Sequence, residues 1–102
     1  MFNYKKIRET IKGYDMKIKK GFVVRAVGGE NVVVPVGEMS KVFHGMINLN
    51  ETGKFLWDFF TAEHTLEEGV DALCGEYEVD RALAENDVKK FMETLLKNGF
   101  AD

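Results

Sequence analysis

The chain of 102 residues has one cysteine, one proline, one tryptophan and two histidines. These scarcities exclude several chemistries. Cys74 has no partner for an internal disulfide, which points to the cytoplasm. On a helical apolar stripe it reads as a small buried hydrophobe, not a nucleophile. His44 and His64 have no cysteine or carboxylate at ligand spacing, so no metal centre is expected. The longest apolar run, Val32 to Val36, is far short of a membrane span. The opening Met1-Phe2-Asn3-Tyr4-Lys5-Lys6 lacks the apolar core and small-residue cleavage site of a secretory signal. Gly28-Gly29 is not a phosphate loop, because no GxGxxG pattern and no following Lys-Ser/Thr accompany it.

What is present suits one small folded domain. Hydrophobic residues make up 45% of the chain and aromatics 12%, enough for a modest core. The net charge of −3 is unevenly spread. Residues 1–20 carry seven Lys/Arg against two Asp/Glu, and the remainder seven against fifteen. Such a basic lead-in is a solvated tail, an attractor of an acidic partner, or a strap folded onto its own domain. Within it Tyr4, Ile7 and Ile11 have helical spacing, with Gly13 as a stop.

The first half reads as strands. Phe22 to Val27 and Val32 to Val36 are β-branched runs around Gly28-Gly29-Glu30-Asn31, the pattern of a hairpin. A three-residue loop, Gly28 to Glu30, would gather Phe22, Val24, Ala26, Val32, Val34 and Val36 on one face and leave Val23, Val27 and Val33 on the other. A two- or four-residue loop would split the valines over both faces. Pro35 cannot donate to a ladder and belongs at a strand end or an unpaired edge. A third strand is expected over Val42 to Leu49, with Phe43, Gly45, Ile47 and Leu49 facing the core.

The second half reads as helices. Asn50 or Thr52 caps the first, with Thr52, Leu56, Phe59 and Phe60 on one stripe and Phe55 beside it. Thr65-Leu66-Glu67-Glu68 is a capping box, followed by the apolar face Leu66, Val70, Leu73, Cys74 and Tyr77. Gly69 should weaken this helix by about 1 kcal/mol relative to alanine. Asp80 caps a third helix with the stripe Val88, Phe91, Met92 and Leu95. Asn98-Gly99 ends it, and Phe100 turns back to the core. The fold class is α+β: a three-stranded antiparallel sheet followed by a three-helix bundle, a winged-helix-like layout.

No catalytic constellation emerges, and the carboxylates Glu67, Glu68, Asp71, Glu76 and Glu78 read as a solvated helix face. A winged-helix nucleic-acid or regulatory domain is the alternative that the layout raises. It needs a basic reader helix, yet Leu66 to Tyr77 has no basic residue and the third helix is mixed. A half-apolar sheet face around Val23 and Val33 would suit docking to another protein. An open strand edge would suit an extended peptide, or self-pairing in a homodimer.

Leu49-Asn50-Glu51-Thr52-Gly53 with Leu56-Trp57 resembles the PqqD family. So do Thr65-Leu66-Glu67-Glu68, Tyr77-Glu78-Val79-Asp80, Glu85, Asp87-Val88, Phe91 and Leu95-Leu96-Lys97-Asn98-Gly99-Phe100 at matching spacing. The resemblance covers residues 16–102 and leaves residues 1–15 as a basic extension. It implies a precursor-peptide recognition element without catalysis, cofactor or metal. The leader of a ribosomally made peptide adds itself to the third strand and is presented to a modifying enzyme, often a radical S-adenosylmethionine protein. Carried onto this chain, the peptide-binding residues are Val42, Phe43, His44, Gly45, Met46 and Ile47 on the strand. Asp87, Phe91 and Thr94 form one flank of the third helix; Glu85, Lys89 and Leu96 form the competing flank.

Overall fold

A computed structural model describes residues 15–102. The expected short helix around Tyr4, Ile7 and Ile11, and all of the basic extension but Asp15, lie outside the described residues. The elements run β1 (Asp15–Met16), β2 (Phe22–Val27), β3 (Glu30–Pro35), α1 (Met39–Val42), β4 (Ile47–Leu49), α2 (Glu51–Phe59), β5 (His64–Thr65), α3 (Leu66–Glu76) and α4 (Arg81–Lys97). The fold is α+β, a three-stranded antiparallel sheet in the order β2-β3-β4 packed on helices.

The hairpin closes more tightly than the valine pattern predicts. Val27 pairs with Glu30, so the loop is the two residues Gly28 and Gly29, not three. Their φ angles of +59° and +84° meet the positive-φ demand of the turn whose twist matches a two-residue hairpin. Dropping one loop residue turns every β3 side chain over. Phe22, Val24 and Val33 therefore face the helices, while Val23, Val32 and Val34 lie on the other face. Val33 is fully buried, so it belongs to the core and not to an outer docking face. Pro35 ends β3, two residues past Val33, the last β3 residue paired to β4. Its missing N–H therefore breaks no ladder on that side.

The third strand is also shorter than expected. Met39–Val42 forms one helical turn, Phe43 to Met46 have no regular structure, and only Ile47–Leu49 pairs with β3. Gly37, at φ +59°, starts this departure, and Ser40 Oγ donates to the Gly37 carbonyl at 2.6 Å. Phe43 then anchors the segment. Its ring lies 4.9 Å from Phe22 and 4.8 Å from Phe100, within an aromatic cluster that Trp57 completes.

The helices follow their local signals, with adjustments. Asn50, not Thr52, caps α2: its Oδ1 accepts from the Gly53 N–H at 2.8 Å. The buried face of α2 is Gly53, Leu56, Trp57 and, at its C-cap, Phe60. Thr52 is exposed and Phe59 half-buried. The capping box of α3 is formed in both directions, Glu68 N–H to Thr65 Oγ1 at 3.1 Å and Thr65 N–H to Glu68 Oε1 at 2.9 Å. Asp80 stands at the N-cap of α4, but its side chain makes no capping bond. Asn98-Gly99 ends α4 with Gly99 at φ +81°, and the buried Phe100 donates back to the Leu95 carbonyl at 2.9 Å, the wrapped end expected of a glycine stop.

The strand pattern did not reveal a second, two-stranded sheet. β1 pairs with β5, Asp15 opposite Thr65 and Met16 opposite His64. Beyond it Lys17 and Asp102 exchange backbone bonds at 3.3 and 2.9 Å, and Lys19 donates to Phe100 at 2.9 Å. The opening of the described chain is thus tied to its end.

Candidate functional site

β4 is an edge. Among the described residues it has one strand neighbour, β3. An edge strand leaves alternate N–H and C=O groups without a ladder partner. Beside this edge lies a groove of about 1160 Å³, lined by Ile47–Leu49 of β4, the first turns of α2, Tyr77 at the end of α3, and Asp87, Lys90, Phe91 and Thr94 of α4.

The groove has an aromatic wall and a charged rim. Phe55 and Tyr77 meet edge to face with ring centroids 5.7 Å apart, and Phe91, half-buried, supplies the α4 side. The lining carboxylates are Glu30, Glu51, Asp58 and Asp87, and the lining cations are Lys54 and Lys90. Lys54 Nζ is taken up by Asp58 at 2.8 Å. The Tyr77 phenol is held above its ordinary pKa, first by partial desolvation and then by the nearby charges of Glu51 and Glu76.

The anticipated site residues fall into two groups. Ile47, Asp87, Phe91 and Thr94 come together on the groove. Val42 is the exposed last residue of α1, Phe43 is part of the aromatic cluster, and His44, Gly45 and Met46 lie on the exposed approach to β4. None of these five lines the groove. The competing α4 flank faces elsewhere: Glu85 and Lys89 pair with each other at 3.5 Å, and Leu96 packs against the core. Sequence reading missed Glu51, Phe55, Tyr77 and Lys90. A signal existed for the two aromatics, since Phe55 lies beside its helix's apolar stripe and Tyr77 lies at the end of one.

The histidines have structural surroundings. His64 stacks on Phe59 at 3.9 Å and lies 3.5 Å from Glu68, while His44 is exposed. Among the described residues no group of three or more His, Cys, Asp or Glu could hold a metal ion, and no helix is long and apolar enough to cross a membrane.

Two solved structures share this architecture. One, described as TbiB1 in complex with the TbiA(beta) leader peptide, is 27% identical with a TM-score of 0.64, covering 84% of this chain and 94% of that one. The other, a lasso peptide synthetase B1 complexed with the leader peptide, superposes at a TM-score of 0.65 over 87% of this chain and 99% of that one. At 21% identity its likeness is one of fold. No curated protein matches the chain. The family model for coenzyme PQQ synthesis protein D (PqqD) matches residues 30–101, which is most of the chain, and the chain therefore belongs to the PqqD family.

Proposed function

We propose that this protein is a non-catalytic module that binds the leader of a ribosomally made precursor peptide by strand addition on β4. It presents the bound peptide to a modifying enzyme in the cytoplasm, a radical S-adenosylmethionine protein being the partner class that the family resemblance implies. The observation that carries the reading is the edge of β4, unpaired among the described residues, beside a groove whose other wall is α4. The leader peptides bound by its structural neighbours support it.

The physical argument also sets limits. β4 has three residues, so its free edge gives a guest only two or three backbone bonds, each worth about 0.5–1.5 kcal/mol net. Micromolar affinity needs about 8 kcal/mol. Apolar side chains of the guest must therefore fill the groove between Phe55, Tyr77 and Phe91, where burial contributes about 25 cal/mol per Å². Val42 to Met46 are proposed as the continuation of the same edge. The segment is exposed apart from Phe43, which is already extended at φ −116°, ψ 124°.

Titration of the ¹⁵N-labelled protein with leader peptides encoded beside its gene tests the reading. Amide shifts should move along Ile47–Leu49 and at Phe91 and Thr94. Unchanged shifts there at saturating peptide would overturn it.

A further inference from the structure

The peptide-binding reading leaves open which peptide chemistry the groove selects; the inference here rests on that reading and specifies the guest. Of the charged groups lining the groove, Lys54 and Asp58 neutralise each other. Glu30, Glu51, Asp87 and Lys90 remain, and none has an ion-pair partner among the described residues. Three carboxylates thus face one ammonium. The opposite flank of α4 carries no such excess, because Glu85 and Lys89 satisfy each other there.

The placement of two of these carboxylates is specific. Glu51 precedes Phe55 by four residues on α2, and Asp87 precedes Phe91 by four on α4. Side chains at that spacing share a helix face. Each wall of the groove therefore presents an aromatic ring with a carboxylate one turn before it, and both pairs line the same cavity. A ring face beside a carboxylate suits a cation whose stem is apolar: the stem lies on the ring and the head meets the carboxylate.

We infer that the groove selects a leader segment in which a basic residue, arginine or lysine, neighbours an apolar anchor, with Glu51 and Asp87 reading the charge and Phe55, Tyr77 and Phe91 taking the anchor. Residues 21–102 carry seven Lys/Arg against fifteen Asp/Glu, so the body of the domain also attracts such a guest at long range. Lys90, near the middle of α4, disfavours a second basic residue beside it.

A defined probe follows from the dimensions. The 17 residues of α4 span about 25 Å, the length of an extended peptide of about eight residues. Blocked peptides of that length with a central leucine or phenylalanine, and a neighbouring position set to arginine, lysine, glutamine or glutamate, are titrated against the whole protein. Arginine and lysine peptides should bind tightest and glutamate peptides weakest, and the difference should shrink as salt screens it. Glu51→Gln and Asp87→Asn should each narrow the preference, by up to about fivefold for a partly exposed pair. Asp87→Lys should reverse it at that wall. Circular dichroism of each variant separates a lost charge from a lost fold. Binding that ignores the charge of the scanned position, or favours glutamate, overturns this inference and leaves peptide binding standing. Failure of every peptide, the natural leader included, overturns both.

Discussion

Gly69 sits where α3 meets the rest of the core. A Cβ built there would lie 3.0 Å from Phe60 Cζ and 3.1 Å from Val88 Cγ1, both in fully buried side chains. Helix propensity alone predicts that alanine would gain about 1 kcal/mol at this position. Overpacking a closed core costs about 1–3 kcal/mol, and both neighbours are fully buried. Gly69→Ala should therefore destabilise the protein, by up to about 2 kcal/mol, seen as a lower urea midpoint with an unchanged slope. Glu68 gives a second residue-scale prediction. Its carboxylate is held below the ordinary value of 4.5, first by the bond it accepts from the Thr65 N–H, against a smaller desolvation effect, with His64 helping. A depressed folded-state pKa means that the contribution is complete above the ordinary value and disappears as pH falls through the folded one. Between neutral pH and pH 3 the melting temperature of the wild type should fall more steeply than that of Glu68→Gln, which keeps an acceptor but cannot titrate. Parallel curves would remove Glu68 from the acid response.

At the scale of elements, caps that look equivalent as sequence are not equivalent as structure. Asn50 and Asp80 are both residues that favour helix starts. Asn50 Oδ1 satisfies the Gly53 N–H, and Thr52 Oγ1 donates to the same oxygen at 3.1 Å. Asp80 makes no capping bond, and α4 is steadied instead by Arg81, which bridges to Asp71 at 2.8 Å and Glu67 at 3.3 Å on α3. Asn50→Ala should cost about 1 kcal/mol, whereas Asp80→Ala should cost a few tenths, the residual charge–dipole attraction. Denaturant midpoints of the two variants check this directly. The Asn50 variant should also weaken peptide binding, because α2 begins at the groove; equal effects of the two would contradict the cap geometry. The same contrast explains the third strand. Alternation from Val42 to Leu49 looks strand-like, but strand structure also needs a partner. β3 pairs with β4 only up to Val33, and Phe43 is drawn off to pack on Phe22 and Phe100.

Across the whole molecule, the described chain closes on itself away from the groove. Ile18 bridges Ala101, Lys17 pairs with Asp102, and Phe100 and Ala101 are buried against the core. Removing residues 100–102 would strip a buried aromatic ring and the backbone bonds of Lys17 and Lys19 together. A buried phenylalanine alone is worth about 3–5 kcal/mol, so the truncated chain should be largely unfolded or retain only a shallow denaturation transition by circular dichroism. Retention of wild-type stability would show that this closure contributes little. This closure leaves β4 unpaired among the described residues, as a strand-adding guest requires.

The α half of the fold was largely legible in the residues themselves. The capping box at Thr65 and Glu68, the stop at Asn98-Gly99, the return of Phe100 and the stripe Val88, Met92 and Leu95 are signals completed within one or two helical turns. The distribution of strands and the residues lining the groove were not legible in this way. The valine run from Val32 to Val34 fits either face, and a single loop residue, Glu30, decided which side reached the core. Whether Val42 to Met46 forms strand depended on how far β3 extends opposite it and on where Phe43 found aromatic partners. Phe55, Tyr77 and Phe91 line one groove only because α2, the end of α3 and the middle of α4 converge beside β4. Local periodicity and caps are written in neighbouring residues, but register, edge exposure and a shared cavity arise from contacts between distant segments, and only the packed chain determines those.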